Sequence, residues 1–270
     1  MKSSKINLSQ VAHNLRKSII EMLVPKESHH IGCSLSIVEI LTVLYFHTLH
    51  LNPRKPKDPN RDIFILSKGH AAAALYATLA TRGFFPHRIL KEYDTNGGIL
   101  PEHVTKVVPG VEVSTGSLGH GLPIGIGFAI ANFYELTKKS IYVLMSDGEL
   151  NEGSNWEAIM FAGFHKLDNL VAIIDANGQQ GYGSTKKVLD LGELKDKISP
   201  FGWNTYETDG HNLDELTSIF RLVKQQSNGK PNFIIAHTIK GKGIPQFEGK
   251  FESHYYSIDE EMKKKILKSL

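Results

Sequence analysis

The 270-residue chain carries one cysteine, Cys33. An intrachain disulfide is therefore excluded, and so is a metal centre built on several cysteines. No apolar run reaches the length needed to cross a bilayer. The first residues, Met1 to Asn7, lack the apolar stretch of a secretion signal, so the expectation is a cytoplasmic chain without membrane contact. An excess of one charge is also missing: 31 Lys and Arg face 28 Asp and Glu, interspersed, for a net +3, which offers no basic block to grip nucleic acid. Internal repeats and low-complexity segments are absent. Histidine, by contrast, is plentiful at thirteen, and imidazoles titrating near neutrality either decorate a surface or line a polar site. At this length and with 41% apolar residues a large core is possible, and one domain over residues 1–270 is expected, with 245–270 as a C-terminal tail and helix.

Two apolar runs end in oxygen ligands. Ile141 to Met145 reads as a buried strand and stops at Ser146-Asp147-Gly148. Ser154 and Glu157 then form a capping box that predicts a helix to about Lys166. Leu170 to Asp175 reads as a second strand and runs into Ala176-Asn177-Gly178-Gln179. Parallel strands joined by that helix would put both C-terminal ends at one sheet edge, where open α/β sheets bind ligands. One carboxylate and one amide make a sparse set suited to Mg2+, which takes further oxygens from water and a phosphorylated ligand. Asp-Gly after a strand is equally ordinary turn chemistry, but Asp147 and Asn177 stand thirty residues apart with a helix and a strand between them.

That arrangement resembles the thiamine-diphosphate signature, Gly-Asp-Gly followed some thirty residues later by Asn. The run Asp147-Gly148-Glu149-Leu150-Asn151-Glu152-Gly153 with Trp156-Glu157-Ala158 resembles its transketolase version, in the short kind where this domain is a separate polypeptide. Ser146 departs from the usual Gly. The resemblance implies an α/β fold, the parallel-sheet, three-layer thiamine-diphosphate-binding domain of the diphosphate-binding type. It implies thiamine diphosphate and Mg2+ (or Ca2+ or Mn2+) as cofactors. Asp147, Asn177 and the backbone oxygen of Gln179 would ligate the metal, with Gly148 and Glu152 beside the cofactor.

Elsewhere the helical period predicts a packing helix over Ser9 to Leu23 and a second bearing Leu35, Val38, Leu41, Leu44 and Tyr45. His30, in the loop between them, reads from its context alone as a surface imidazole. The run around it resembles the family's Gly-His-Pro-Gly, with Ile31 for Pro, which implies a His facing substrate. Asp62 to Leu66 reads as a strand, followed by Ser67-Lys68-Gly69-His70 and a helix from Ala71 to Thr81, a geometry that favours anions. His70 is either a cap or, by resemblance, a contact to the cofactor diphosphate. His103 lies in a long loop, Thr95 to Glu112. It is implied as a substrate-facing imidazole, with Glu102 and Val104 as departures. The glycine-rich run Val111 to Pro123 permits close backbone approach and resembles Thr-Gly-Ser-Leu-Gly-Gln-Gly. Gly116 would contact the aminopyrimidine, Ser117 and Leu118 would support the cofactor, and His120 replaces Gln.

Asp190 to Pro200 reads as an amphipathic cover for the sheet. Trp203 to Thr208 and Phe233 to Ala236 read as strands, and Asn212 with Glu215 as a helix start. His211 is expected to be structural. The loop Thr238 to Gly243 could screen phosphate charge or only bend at its glycines. His254 falls where the family places its last active-site His, with Tyr255 for Gly, ahead of a cap at Ser257 and Glu260 and a Lys-rich terminal helix.

The resemblance runs over about residues 8 to 268. It implies transfer of a two-carbon ketol unit from a ketose phosphate to an aldose phosphate, with His30, His103 and His254 as catalytic imidazoles. A pyrimidine-binding domain is expected on a separate C-terminal transketolase subunit, giving an α2β2 assembly. The alternatives are another thiamine-diphosphate enzyme, such as the α chain of a 2-oxo acid dehydrogenase or a specialised sugar-biosynthetic ketol transferase, and a non-catalytic scaffold that retains the fold.

Overall fold

A computed structural model describes residues 6–23, 29–226, 228–255 and 259–270. Its centre is a five-stranded sheet: β1 (Ile63–Leu66), β2 (Ile141–Ser146), β3 (Leu170–Ala176), β4 (Asn204–Asp209) and β5 (Asn232–His237). Every pairing is parallel and the spatial order is β1-β2-β3-β5-β4.

The continuous apolar runs are explained by burial on both faces. Phe64, Leu66, Tyr142, Leu144, Val171 and Ile173 enter one core, while Ile63, Ile65, Val143, Met145, Ala172 and Ile174 enter the other. Successive side chains point to opposite faces, so alternate residues serve alternate layers. The first layer holds α1 (Leu8–Leu23), α2 (Val38–Val43), α3 (Ala72–Arg82) and α6 (Leu213–Gln225). The second holds α4 (Gly121–Tyr134) and α5 (Gly153–Phe164). Two layers of helices around a parallel sheet make the three-layer α/β arrangement. The terminal helix α7 (Glu260–Ser269) sends Ile266 into the first core. No helix among the described residues is long and apolar enough to cross a membrane.

Local structure differs from expectation at several points. The second helix is broken into Ile31–Leu35, α2 and a wide turn at Leu44–Thr48. The single Ser36 hydroxyl hydrogen is shared between Asp175 Oδ2 at 2.7 Å and the Cys33 carbonyl at 3.1 Å, the local competition that disfavours Ser inside helices. The capping box at Ser154 and Glu157 does not form. Glu152 is the N-cap without a side-chain bond, and Ser154 Oγ donates instead to the Gly119 carbonyl at 2.7 Å. A tertiary acceptor has won over the local one. Only Leu194–Ile198 of the Asp190 to Pro200 stretch is α-helical. Ser257 lies outside the described residues; α7 is capped by Asp259, which accepts from Met262 N. The cap at Asn212 forms, its side chain accepting from Asp214 N and Glu215 N.

Candidate cofactor and substrate site

The C-terminal ends of β1, β2, β3 and β5 meet at one edge, held by a buried charge network. Register sets Ser146 opposite Asp175, so Asp147 and Asn177 emerge side by side. Asp147 Oδ1 accepts from Gly148 N at 2.8 Å, and Oδ2 accepts from Gly178 N at 2.6 Å. Asp175 is fully buried and accepts from Lys68 Nζ at 2.5 Å, Ser36 Oγ at 2.7 Å, Asn177 Nδ2 at 3.0 Å and Thr238 Oγ1. It thereby orients the Asn177 amide, whose Oδ1 accepts from Gln179 N at 3.0 Å. Burial opposes charge on Lys68, yet Asp175, with Cys33 and Asp147, holds it above the ordinary lysine range. Asp147 makes no direct salt bridge among the described residues and feels Lys68 only weakly. Burial, followed by the negative charge of Asp175, pushes its pKa up to about 7.

Glu149, which the sequence reading did not single out, ties the glycine-rich run to this edge. Buried completely, it accepts from Ser67 Oγ, from Gly119 N at 3.0 Å and from Ser146 N at 3.3 Å. Burial pushes its pKa up and those donors oppose the rise. The Ser146 hydroxyl does not stand loose in the site: it accepts from Glu149 N at 3.2 Å. Gly116 has φ +150°, and a Cβ there would lie 2.9 Å from the His103 ring. A Cβ on Gly148 would come within 2.6 Å of Gln180 Cβ. Ser117 is exposed and Leu118 half-buried on the same run, while Glu152 is exposed with its Cβ side against Gly119.

The structure gathers His30, His70, His103 and His254, which lie far apart in sequence. Ring centroids of His30 stand 4.9 Å from His70, 6.3 Å from His103 and 4.7 Å from His254. Backbone bonds make the cluster: His30 N donates to the His254 carbonyl at 2.8 Å, and Val104 N to the Gly69 carbonyl at 3.2 Å. His30 adopts φ 69°, a left-handed conformation uncommon outside glycine. Burial pulls the His70 pKa below the ordinary imidazole range. Lys240 is buried inside the cluster, with Nζ 2.9 Å from His254 Nδ1. His211 is tied to Glu39 at 3.0 Å and accepts from Ile239 N, away from the ring cluster, as its structural reading expected. His120 is exposed.

The strand ends suit a hard divalent ion carrying a diphosphate. The donors are oxygens, Asp147 makes no direct salt bridge among the described residues, and Gln179 Oε1 is buried with no hydrogen-bond partner among them. A cavity of about 280 Å3 opens beside them, lined by Asp147, Gly178, Leu191, Lys195 and His237. The sequence reading missed Lys68, Asp175 and Glu149 as organisers. Their one visible signal was position, since each is charged and adjoins a strand end.

The family described as "Transketolase, thiamine diphosphate binding domain" matches residues 8–269. An apulose-4-phosphate transketolase subunit from Phocaeicola vulgatus is 42% identical over 240 residues, covering 89% of this chain and 85% of that protein. The 6-deoxy-6-sulfo-D-fructose transketolase subunit SqwG of a Clostridium species is 41% identical over 271 residues, covering 100% and 98%. The crystal structure of Campylobacter jejuni transketolase superposes with a TM-score of 0.90 at 33% identity, covering 97% of this chain and 43% of the solved one. The chain thus spans less than half the length of that solved transketolase.

Proposed function

This chain belongs to the transketolase family, through its thiamine diphosphate-binding domain, and from that premise we propose that it is the diphosphate-binding subunit of a two-component transketolase. In this reading it pairs with a pyrimidine-binding subunit, and the two together transfer a two-carbon ketol unit between sugar phosphates. The observation that carries the proposal is the convergence of four imidazoles beside two strand ends bearing Asp147 and Asn177. The names of the two relatives, each a transketolase subunit called after a sugar, support it.

Asp147, Asn177 and Gln179 would hold Mg2+, and Gly116, Ser117, Leu118, Gly148, Glu152 and His70 would border thiamine diphosphate. When bound, that cofactor supplies an electron sink for breaking the carbon–carbon bond next to a ketose carbonyl. The chain's own part is to position and to move protons. His103 and His254 each lie against His30, and imidazoles suit proton exchange with substrate hydroxyls at neutral pH. The rigid Asp175 network fixes Asn177, and the Glu149 clamp fixes the Gly116 run, so neither needs to reorganise on binding. Four gathered imidazoles favour ketol transfer over a 2-oxo acid dehydrogenase role. Intact Asp147 and Asn177 weigh against a scaffold.

The test is co-purification with a pyrimidine-binding transketolase subunit, followed by an assay of ketol transfer from a ketose phosphate. Activity in the complex and none in either chain alone is expected. Activity of this chain alone would refute the two-component reading. Asp147→Ala should abolish Mg2+-dependent cofactor binding in calorimetry; unchanged affinity would refute the ligand assignment.

A further inference from the structure

Beside the strand ends, and separate from the oxygen set, is a cluster of different chemistry. Ligand atoms of His30, Cys33 and His254 lie within 4.8 Å of one another. Two imidazoles and one thiol are the donors of zinc-class ions, not of Mg2+. We propose that His30, Cys33 and His254 form a site for a borderline-soft divalent cation of the zinc class, and that its occupancy withdraws two imidazoles from the substrate site.

The geometry supports this. Two ligands on a tetrahedral zinc, at about 2.3 Å for sulfur and about 2.1 Å for nitrogen, stand about 3.6 Å apart. Cys33 Sγ and His254 Nδ1 are 3.6 Å apart. His30 and Cys33 are three residues apart across the start of the Ile31–Leu35 turn, which puts them on one face. His30 Nδ1 is buried with no hydrogen-bond partner among the described residues. The widest separation needs to close by about 1 Å to reach a tetrahedral edge.

The three residues come from segments locked together. His30 N bonds the His254 carbonyl, and Gly241 N the Gly32 carbonyl at 3.0 Å. A Cβ on Gly32 would lie 2.3 Å from Ser253 Oγ, so the two segments pack without room for a larger residue. Lys240 is the opposing feature, since its Nζ already sits 2.9 Å from His254 Nδ1 and must be displaced. Three protein ligands leave a fourth position open, as in zinc sites that accept an exogenous ligand.

The binding half of the proposal stands on geometry; the inhibitory half rests on the function proposed above. The probe is Co2+, titrated into the full chain with Mg2+ and thiamine diphosphate in excess so that the oxygen site is already engaged. One Co2+ per chain is expected, with thiolate-to-cobalt charge-transfer absorption and the intense visible bands of a tetrahedral ion, displaced by Zn2+. Cys33→Ala, and Cys33→Ser as a second variant against packing effects, should lose the thiolate absorption and bind at least tenfold more weakly. Absence of that absorption in the unaltered chain, or equal affinity in both variants, overturns the site. In the complex with the pyrimidine-binding subunit, Zn2+ should inhibit ketol transfer by the unaltered chain while Cys33→Ala retains activity and resists inhibition. Equal inhibition of both overturns the inhibitory half. A complex without ketol transfer before Zn2+ is added refutes the function reading and leaves the spectroscopic result standing.

Discussion

Asp175→Asn tests the network on which the strand-end geometry depends. The carboxylate is 0% exposed and Lys68 beside it is 1% exposed, so neither is solvated when the other is lost. The amide substitution keeps the shape. It replaces the acceptor Oδ2, which takes Ser36 Oγ, Lys68 Nζ and Asn177 Nδ2, with an NH2 group or forces all three onto the other oxygen. Removing one partner of a buried ion pair costs about 3–5 kcal/mol. Against a typical total of about 5–15 kcal/mol, the urea midpoint should fall steeply with little change in slope.

The sign of the pH dependence sharpens this test. In the unaltered chain Lys68 is held above its ordinary value of 10.5, so its contribution is present below that pH and lost as pH rises through the raised value. In Asp175→Asn the largest opposing charge is gone, and burial pulls Lys68 down against only Cys33 and Asp147. The unfolded chain then binds more protons, and the variant gains stability as pH rises. The gap between the two should narrow between about pH 7 and pH 10. Lys68→Met combined with Asp175→Asn removes the stranded cation and should recover about 2 kcal/mol. A single-variant cost below about 1 kcal/mol, or a gap that widens with pH, would refute the reasoning.

Glu149→Leu strands Ser67 Oγ, Gly119 N and Ser146 N, and a loss of about 2–4 kcal/mol is expected in thermal or urea unfolding; Glu149→Gln, which keeps one acceptor, should lose about half of that. Gly116→Ala forces a side chain onto φ +150° and against His103, so cofactor affinity should drop about tenfold or more in a calorimetric titration, and unchanged affinity would show that the run bends away from the ligand. With Asp147 pushed to about 7, protons compete with the cation, and Mn2+ affinity measured by electron paramagnetic resonance should weaken about tenfold from pH 8 to pH 6. Without a cation, the same group favours the folded chain below its ordinary 3.8, and that advantage is lost as pH rises toward about 7. Thermal scans with and without Mg2+ and cofactor should therefore diverge most above pH 7; curves that stay parallel would contradict the assignment.

Much of the molecule was legible in one dimension. All five sheet strands were predicted within about a residue or two at each end, because runs such as Ile141 to Met145 and Leu170 to Asp175 are short, β-branched and bounded by turn residues. Convergence of Asp147 and Asn177 followed from parallel pairing, which the Ser146 to Asp175 register bears out. The imidazoles were flagged through resemblance alone, since a histidine in a loop has no periodic signature. Errors arose where a local signal met a tertiary competitor. Ser154 forms a capping pattern with Glu157, but its hydroxyl found the Gly119 carbonyl, and Ser36 interrupted a helical period by bonding a strand end 139 residues away.

What the sequence by itself determined is the alternation that buries each strand on two faces and the placement of oxygen donors where those strands stop. Both are local properties, set by side-chain type at a period of two and by the turn residues that follow. Only the tertiary structure decided that Lys68 commits its charge to Asp175, that Glu149 clamps three segments, and that Cys33 meets His254 across 221 residues. Such pairings depend on which strand ends and loops the sheet order brings together, and no spacing along the chain encodes a distance through space.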